Sequence, residues 1–166
     1  MEVLLVGNTD FITKQWIQHA FPQDHVVIAE REGTVDGNDR LRIVNMSDAN
    51  ALAEALTTYE FDRIVFFSEN LTPRSDRDGD LGALRRLLHA IRNRQTQMLM
   101  VSGPESEFTY PENADVRDTS KSLMSRASEE LCLYYARAYR LEAKIIRCPY
   151  LSVAGSSWKV SCNAVT

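Results

Sequence analysis

Short apolar runs alternate with segments of helical periodicity along most of the chain. Nearly continuous apolar runs predict buried strands at residues 3–6, 25–30, 41–45, 63–68, 97–102 and 143–148. Apolar residues spaced three and four apart predict helices at residues 11–20, 48–59, 79–94 and 118–139. Strands that are apolar throughout and alternate with helices are typical of a parallel sheet. The sequence therefore predicts an α/β fold: a Rossmann-like, doubly wound parallel sheet of about six strands with helices on both faces.

Length and composition are those of a single globular domain. The chain has 166 residues, of which 44% are hydrophobic and 25% are charged, and its net charge of −4 gives no electrostatic basis for binding nucleic acid. The apolar start is too short for a signal peptide, and no apolar run is long enough to cross a membrane. The three cysteines, Cys132, Cys148 and Cys162, have no metal-ligand spacing and cannot all pair, and the histidines lie far apart. We therefore expect a cytoplasmic protein without a metal site, nucleic-acid partner or membrane insertion.

Two polar segments, at residues 31–39 and 68–80, follow predicted strands. Open α/β sheets bind ligands at the carboxyl ends of their strands, so these segments border the expected ligand site. Four arginines lie in or after the second segment: Arg74, Arg77, Arg85 and Arg86. They form either a solvated face or a contact surface for nucleotide phosphates or a partner protein.

Several local patterns occur together in the order of one known family. The chain begins with VLLVGNTDFITKQW, followed by FDRIVFFSENL, GDLGALRRLLHAIRN and MLMVSGPESEF. The last pattern is SLMSRASEELCLYYARAYRLEAKIIRCPYL. In order and spacing the chain resembles the extended short-chain dehydrogenase/reductase family, which includes the NAD-dependent nucleotide-sugar epimerases and dehydratases. The resemblance covers residues 1–151 and implies an NAD(P)-binding-type domain with the strand order 3-2-1-4-5-6.

The phosphate loop departs from the family pattern. The resemblance aligns the three glycines of the family with Gly7, Asp10 and Thr13, so only the first glycine is kept. Phe11 and Ile12 keep the family's residue types and, with Gly7 and Asp10, are the expected contacts on the pyrophosphate side. The carboxylate of Asp10 either caps the first helix, in the place of the anion, or serves a changed ligand.

The resemblance also implies an adenosine side of the site. It places an acidic residue after the second strand, on the ribose hydroxyls, and another after the third strand, beside the adenine. These positions align with Glu30 and Asn45, and Arg31 follows Glu30. A glutamate suits NAD and an arginine suits the 2′-phosphate of NADP, so the resemblance implies either cofactor. Glu30 is alternatively an ordinary surface acid.

The catalytic helix of the family carries a Tyr four residues before a Lys, and these positions align with Ser122 and Arg126. The catalytic Ser or Thr of the family aligns next to Ser102, with Ser106 as a second candidate. An aliphatic hydroxyl is a weaker acid than a phenol, and an arginine does not act as an adjustable base. Ser122 and Arg126 therefore either form a solvated helix face or leave Arg126 to hold a phosphate or a ribose.

Three functions stay open at this point. The residues favour a catalytically degenerate domain, acting as a regulatory or interaction module of a larger protein, over an active enzyme. One alternative is an NAD(P)-dependent nucleotide-sugar epimerase, dehydratase or reductase with a displaced catalytic set. The other is a non-catalytic module that binds a nucleotide or a nucleotide sugar.

Residues 152–166 are too few to supply the substrate-binding region of the resembled family. We expect them to be a C-terminal tail or the start of a missing region, so the partner is a covalently linked domain or a second copy of the chain. In the resembled family, helices corresponding to residues 80–94 and 118–139 commonly form a homodimer interface. Leu123, Ala127 and Leu131 form an apolar stripe that either serves this interface or covers the sheet.

Replacing both Asp10 and Thr13 by glycine is expected to raise the affinity for NAD(H) and NADP(H), which the unaltered chain binds weakly or not at all. A carboxylate beside the pyrophosphate costs ~1–3 kcal/mol after screening, on the order of tenfold to a hundredfold in affinity. Calorimetric titration of both proteins measures the difference. Micromolar binding by the unaltered chain contradicts the prediction.

Overall fold

The structure of the chain is a computed structural model, and it describes residues 1–6, 24–30, 41–45, 49–67, 79–102, 116–147 and 163–165. Within these segments, seven strands form one sheet: β1 (Glu2–Val6), β2 (His25–Glu30), β3 (Leu41–Asn45), β4 (Arg63–Phe67), β5 (Gln97–Ser102), β6 (Ala143–Arg147) and β7 (Asn163–Val165). The same segments contain three helices: α1 (Ala49–Thr58), α2 (Gly79–Ile91) and α3 (Val116–Tyr139).

The strand order is β3-β2-β1-β4-β5-β6-β7, with β1 to β6 parallel and β7 antiparallel to β6. The chain moves outward from β1 to β3, returns to β4 on the other side of β1, and moves outward again to β6. Because parallel crossovers are right-handed, this reversal sends the connections of the two halves over opposite faces. The predicted fold class is confirmed: the protein has a Rossmann-like, doubly wound α/β fold.

Both faces of the sheet are buried. The helix-side core packs against α1, α2 and α3 and takes from the strands Leu4, Val6, Val27, Ala29, Ile64, Phe66, Met98, Met100 and Ile145. The opposite core comprises Val3, Leu5, Val26, Ile28, Val65 and Val101. Successive strand residues alternate between the two cores, and this double burial explains why the strands are nearly continuous apolar runs. The helix predicted at residues 11–20 lies outside the described residues.

The helices contact the helix-side core with different kinds of surface. α2 buries Leu84, Leu87, Leu88 and Ile91, at the spacing that predicts this helix. α3 instead buries a mostly polar row: Ser125, Ser128, Glu129, Cys132 and Tyr135. The predicted apolar stripe of α3 is divided, because Leu131 packs partly against the core whereas Leu123 is 61% exposed. Packing against the sheet therefore explains why residue 131 is apolar, but it does not explain the apolar side chain of Leu123.

Predicted and observed elements agree to within one residue at most boundaries. α2 ends at Ile91 rather than at residue 94, because the backbone N–H of Arg94 donates to the Ile91 carbonyl (2.9 Å) in a turn. α3 begins two residues early, at Val116. The sequence does not predict β7, which takes three residues from the expected tail. No helix in the described segments is long and apolar enough to span a lipid bilayer.

Arg140, directly after α3, has a φ of 56°, in the left-handed region. Glycine is the usual residue here, because a side chain costs about 1 kcal/mol in this conformation. We predict that Arg140→Gly raises the free energy of unfolding by roughly 0.5–1 kcal/mol, after allowance for the more flexible unfolded chain. Urea unfolding measures the change. Glu130→Gly, at an exposed position inside α3, is the control and should lower the same quantity by about 1 kcal/mol. A destabilised Arg140→Gly would show that Arg140 makes a contact worth more than the strain.

Candidate functional site

The candidate site lies at the carboxyl ends of the parallel strands. Val6, the last residue of β1, is level with Ala29 of β2, and Glu30 at the end of β2 pairs with Asn45 at the end of β3. The sheet therefore brings Glu30 and Asn45 together, as the resemblance implies, and β1 ends directly before Gly7. Because β1 lies between β2 and β4, the reversal of strand order falls here, where open α/β sheets bind ligands.

The phosphate-side candidates cannot be placed. Gly7, Asp10, Phe11, Ile12 and Arg31 lie outside the described residues. Glu30 and Asn45 are described by their backbone, as is Ser122 in α3. The candidate side chains that the structure does describe are Ser102 and Arg126.

Ser102 is the last residue of β5 and is completely buried. It points to the same side of the sheet as Met98 and Met100, toward the helix-side core, because strand side chains alternate in direction. Its Oγ has no hydrogen-bond partner in the described part of the chain. A buried hydroxyl without a partner costs about 1–3 kcal/mol. Nor is the hydroxyl exposed to a ligand in this conformation.

A buried ion pair lies beside Ser102 on the same face of the sheet. Arg147, at the end of β6, is level with Ser102 in the strand register. Its guanidinium donates twice to the carboxylate of Glu129 in α3, from Nη2 to Oε2 (2.6 Å) and from Nε to Oε1 (3.1 Å). The Glu129 side chain is 5% exposed and that of Arg147 is 26% exposed. This two-pronged contact fixes α3 over the end of β6.

The sequence interpretation did not identify this ion pair. A signal was present in the polar row of α3, where Ser125, Glu129 and Cys132 share one face of the helix. A glutamate in that row requires a buried cation, and Arg147 follows an apolar strand that leads to the same region.

Arg126, which the resemblance aligns with the family's lysine, is exposed on α3, one turn before Glu129. Its guanidinium keeps its charge at every physiological pH, so it suits the binding of an anion and not the exchange of a proton. Cys132, one turn after Glu129, is no nucleophile either. Burial, and secondarily the charge of Glu129, raises the pKa of its thiol to about 11, which keeps the sulfur protonated. Within the described residues, no group of acids, histidines and cysteines is arranged to hold a metal ion.

The two residues that the resemblance gives to the adenosine side lie next to each other in the sheet. The ends of β2 and β3 place a glutamate and an asparagine next to each other, and both can accept hydrogen bonds from ribose hydroxyls. Hydride transfer needs a group that moves a proton near the nicotinamide. Near the positions that the resemblance gives to the proton-transfer groups, the described residues are a buried serine, Ser102, and an exposed arginine, Arg126.

No protein-family model matches the sequence, and no curated protein matches it. Solved structures match it in fold. One is the L-threonine dehydrogenase of Clostridium difficile (TM-score 0.65, 15% identity, 89% of this chain and 53% of that one). Another is the UDP-glucuronic acid 4-epimerase of Bacillus cereus in complex with NAD (TM-score 0.66, 15% identity, 87% and 55%). A third is the Bordetella bronchiseptica enzyme WbmF in complex with NAD+ and UDP (TM-score 0.64, 14% identity, 88% and 48%).

These similarities establish that the chain shares the Rossmann-like fold of dehydrogenase and epimerase structures. Their sequence identities show the fold and nothing finer. The chain spans about half the length of the matched structures.

We predict that Glu129→Ala lowers the free energy of unfolding by ~2–4 kcal/mol, because it removes the carboxylate that accepts two hydrogen bonds from the Arg147 guanidinium in a largely buried place. Glu130→Ala, which removes the neighbouring exposed carboxylate, should cost less than about 0.5 kcal/mol. The double variant Glu129→Met, Arg147→Met should cost less than the two single changes together, since it removes both charges. Chemical unfolding of the unaltered chain, Glu129→Ala, Glu130→Ala, Glu129→Met, Arg147→Met and the double Met variant gives the comparison. Additive losses in the double variant would show that the two charges do not stabilise each other.

Proposed function

We propose that this chain is a catalytically degenerate Rossmann-like domain of the epimerase/dehydratase type, which acts as a regulatory or interaction module. The observation that supports the proposal is the state of two described side chains, one next to and one at a position that the resemblance aligns with the family's catalytic groups. Ser102 is buried and unpartnered within the described residues, and Arg126 is a permanent cation on the exposed side of α3.

The chemistry explains why these residues do not support hydride transfer. In the resembled family, a phenol gives up or takes a proton as the hydride moves, and a nearby ammonium lowers its pKa. Ser122, which aligns with the phenol, has an aliphatic hydroxyl, and this is a far weaker acid. Arg126, which aligns with the lysine, has a planar guanidinium whose N–H donors point in fixed directions, whereas an ammonium can rotate its three donors. The ion pair of Glu129 with Arg147 lies between α3 and β6, and its role is structural because it joins the helix to the strand.

A non-catalytic nucleotide-binding module is the second candidate. It is supported by the pairing of Glu30 with Asn45 at the carboxyl edge and by the exposed guanidinium of Arg126. A ligand that binds the folded state raises the unfolding temperature, so a thermal shift with NAD or a UDP-sugar favours this second function over a pure interaction module.

The interaction surface of the proposed module lies on α3. Leu123 and Tyr134 are 61% and 58% exposed, and their spacing of three helical turns places them on one face with the partly buried Ala127. α2 packs beside α3. We propose that this face contacts a second copy of the chain or a covalently linked domain.

The purified chain is expected to show no turnover with NAD or NADP when offered L-threonine or UDP-glucuronic acid. The reason is that no residue at the expected position supplies the proton. Absorbance of the reduced nicotinamide reports oxidation, and chromatography of the sugar nucleotide reports epimerisation. An active L-threonine dehydrogenase assayed in parallel is the positive control.

Turnover that depends on the cofactor and disappears in Ser122→Ala would overturn the proposal, because it would identify Ser122 as a working acid. Turnover that survives Ser122→Ala but not Ser102→Ala would also overturn it. In that case the Ser102 hydroxyl, which is buried here, would have to become exposed.

A further inference from the structure

A groove of about 670 Å³ lies at the amino-terminal edge of the sheet, opposite the candidate functional site. Three arginines from different parts of the fold line it: Arg63 at the start of β4, Arg94 before β5 and Arg140 after α3. The volume is within the range of pockets for small molecules. The chain as a whole is acidic, so the presence of three arginines around one groove is a local feature.

Each of these arginines has donors to spare. Arg63 donates from Nη2 to the Gln97 side chain (3.0 Å), and Arg94 donates from Nη1 to the Leu56 carbonyl (2.6 Å). Arg140 makes no hydrogen bond or ion pair among the described residues. A guanidinium carries five N–H donors, so most donors of these three arginines form no hydrogen bond among the described residues.

The two carboxylates that line the groove do not neutralise the arginines by direct contact. Asp62 accepts the backbone N–H of Glu2 (2.8 Å), and Glu142 accepts the side-chain amide of Gln97 (3.1 Å). Within the described segments, neither forms an ion pair with an arginine of the groove. Three guanidinium groups against two carboxylates leave a positive surplus.

Helix ends account for only part of this charge. In a parallel α/β fold the helices end at the amino edge of the sheet, where their carbonyl groups favour cations. Arg92 donates to the His89 carbonyl of α2, and Arg94 to the Leu56 carbonyl of α1. Among the described residues, neither Arg63 nor Arg140 makes such a contact.

A smaller cavity of about 230 Å³ lies next to the groove along the sheet edge and shares lining residues with it. The two cavities share Arg63, Gln97 and Glu142, and the smaller one adds the cation of Lys144 and the apolar side chain of Leu99. A ligand that filled both would place its anionic part among the arginines and a less polar part against Leu99.

We propose that this amino-edge groove binds a small molecule bearing a phosphate group, through Arg63, Arg94 and Arg140. The fork of a guanidinium matches the oxygens of phosphate, and three forks that approach from separate elements suit a polyanion better than a single carboxylate. The proposal goes beyond the proposed function and is independent of it, because the groove and the candidate site lie at opposite edges of the sheet.

The conformation of Arg140 supports the proposal. A glycine would fit its positive φ without strain, so the arginine is held there at a cost to folding. A binding role for its guanidinium gives that cost a function. The Arg140→Gly variant also separates an effect on binding from an effect on stability, because it removes the guanidinium and relieves the strained backbone conformation.

The test is calorimetric titration of the full chain with inorganic pyrophosphate, at low salt and at about 150 mM salt, where surface charges are screened. We expect one binding event, weaker at the higher salt. Arg140→Gly and Arg94→Gln should each weaken it about tenfold or more. Arg137→Gln removes a charge from the same end of α3 outside the groove and should change the affinity less than threefold or so. The unfolding temperature of Arg140→Gly should equal or exceed that of the unaltered chain.

Several results would overturn the proposal. They are the absence of saturable binding at low salt, full binding by the double variant Arg94→Gln, Arg140→Gly, and an equal loss in Arg137→Gln. Citrate, titrated in parallel as a carboxylate polyanion, tests the ligand class: tighter binding of citrate than of pyrophosphate would rule out phosphate as the group recognised.

Discussion

Burial of β1 on both faces is the constraint on which the rest of the fold depends. Its four apolar residues are at most 1% exposed, and both of its edges are hydrogen-bonded, to β2 and to β4. An amphipathic strand is held in register because a one-residue shift would expose its apolar face. β1 has no polar face, so side-chain alternation does not set its register. The polar groups at its amino end must do so.

Those groups form a small set of contacts between neighbouring strands. The backbone N–H of Glu2 donates to Asp62 Oδ2 (2.8 Å), and the Glu2 carboxylate lies 2.7 Å from Nδ1 of His25. The terminal ammonium of Met1 contacts Asp24 at 3.0 Å. Exposed contacts of this kind contribute little stability. A shift of β1 along its neighbours, however, would bury the charged Glu2 side chain between apolar strands. The free-energy cost of burying that charge favours the observed register.

The fold follows from the sequence far more closely than the site does. Strand positions were predictable because double burial leaves an apolar run that polar turns interrupt. The ion pair of Glu129 with Arg147 was not, because its two members are distant in sequence and each has the residue type of an ordinary surface position. The apolar stripe of α3 misled for a related reason: the helix meets the sheet through Ser125, Ser128 and Cys132, while Leu123 is exposed. β7 is too short to carry a pattern.

The arrangement of charge at the two edges of the sheet is a consequence of helix direction. Helices of a parallel α/β fold begin at the carboxyl edge, where their N–H groups favour anions, and end at the amino edge, where their carbonyl groups favour cations. At the amino edge, Arg92 and Arg94 donate to helix carbonyl groups, so the protein supplies this counter-charge from its own side chains. Arg63 and Arg140 add positive charge at this edge beyond the arginines that cap the helix ends. This additional charge distinguishes a groove that can hold an anion from ordinary helix capping.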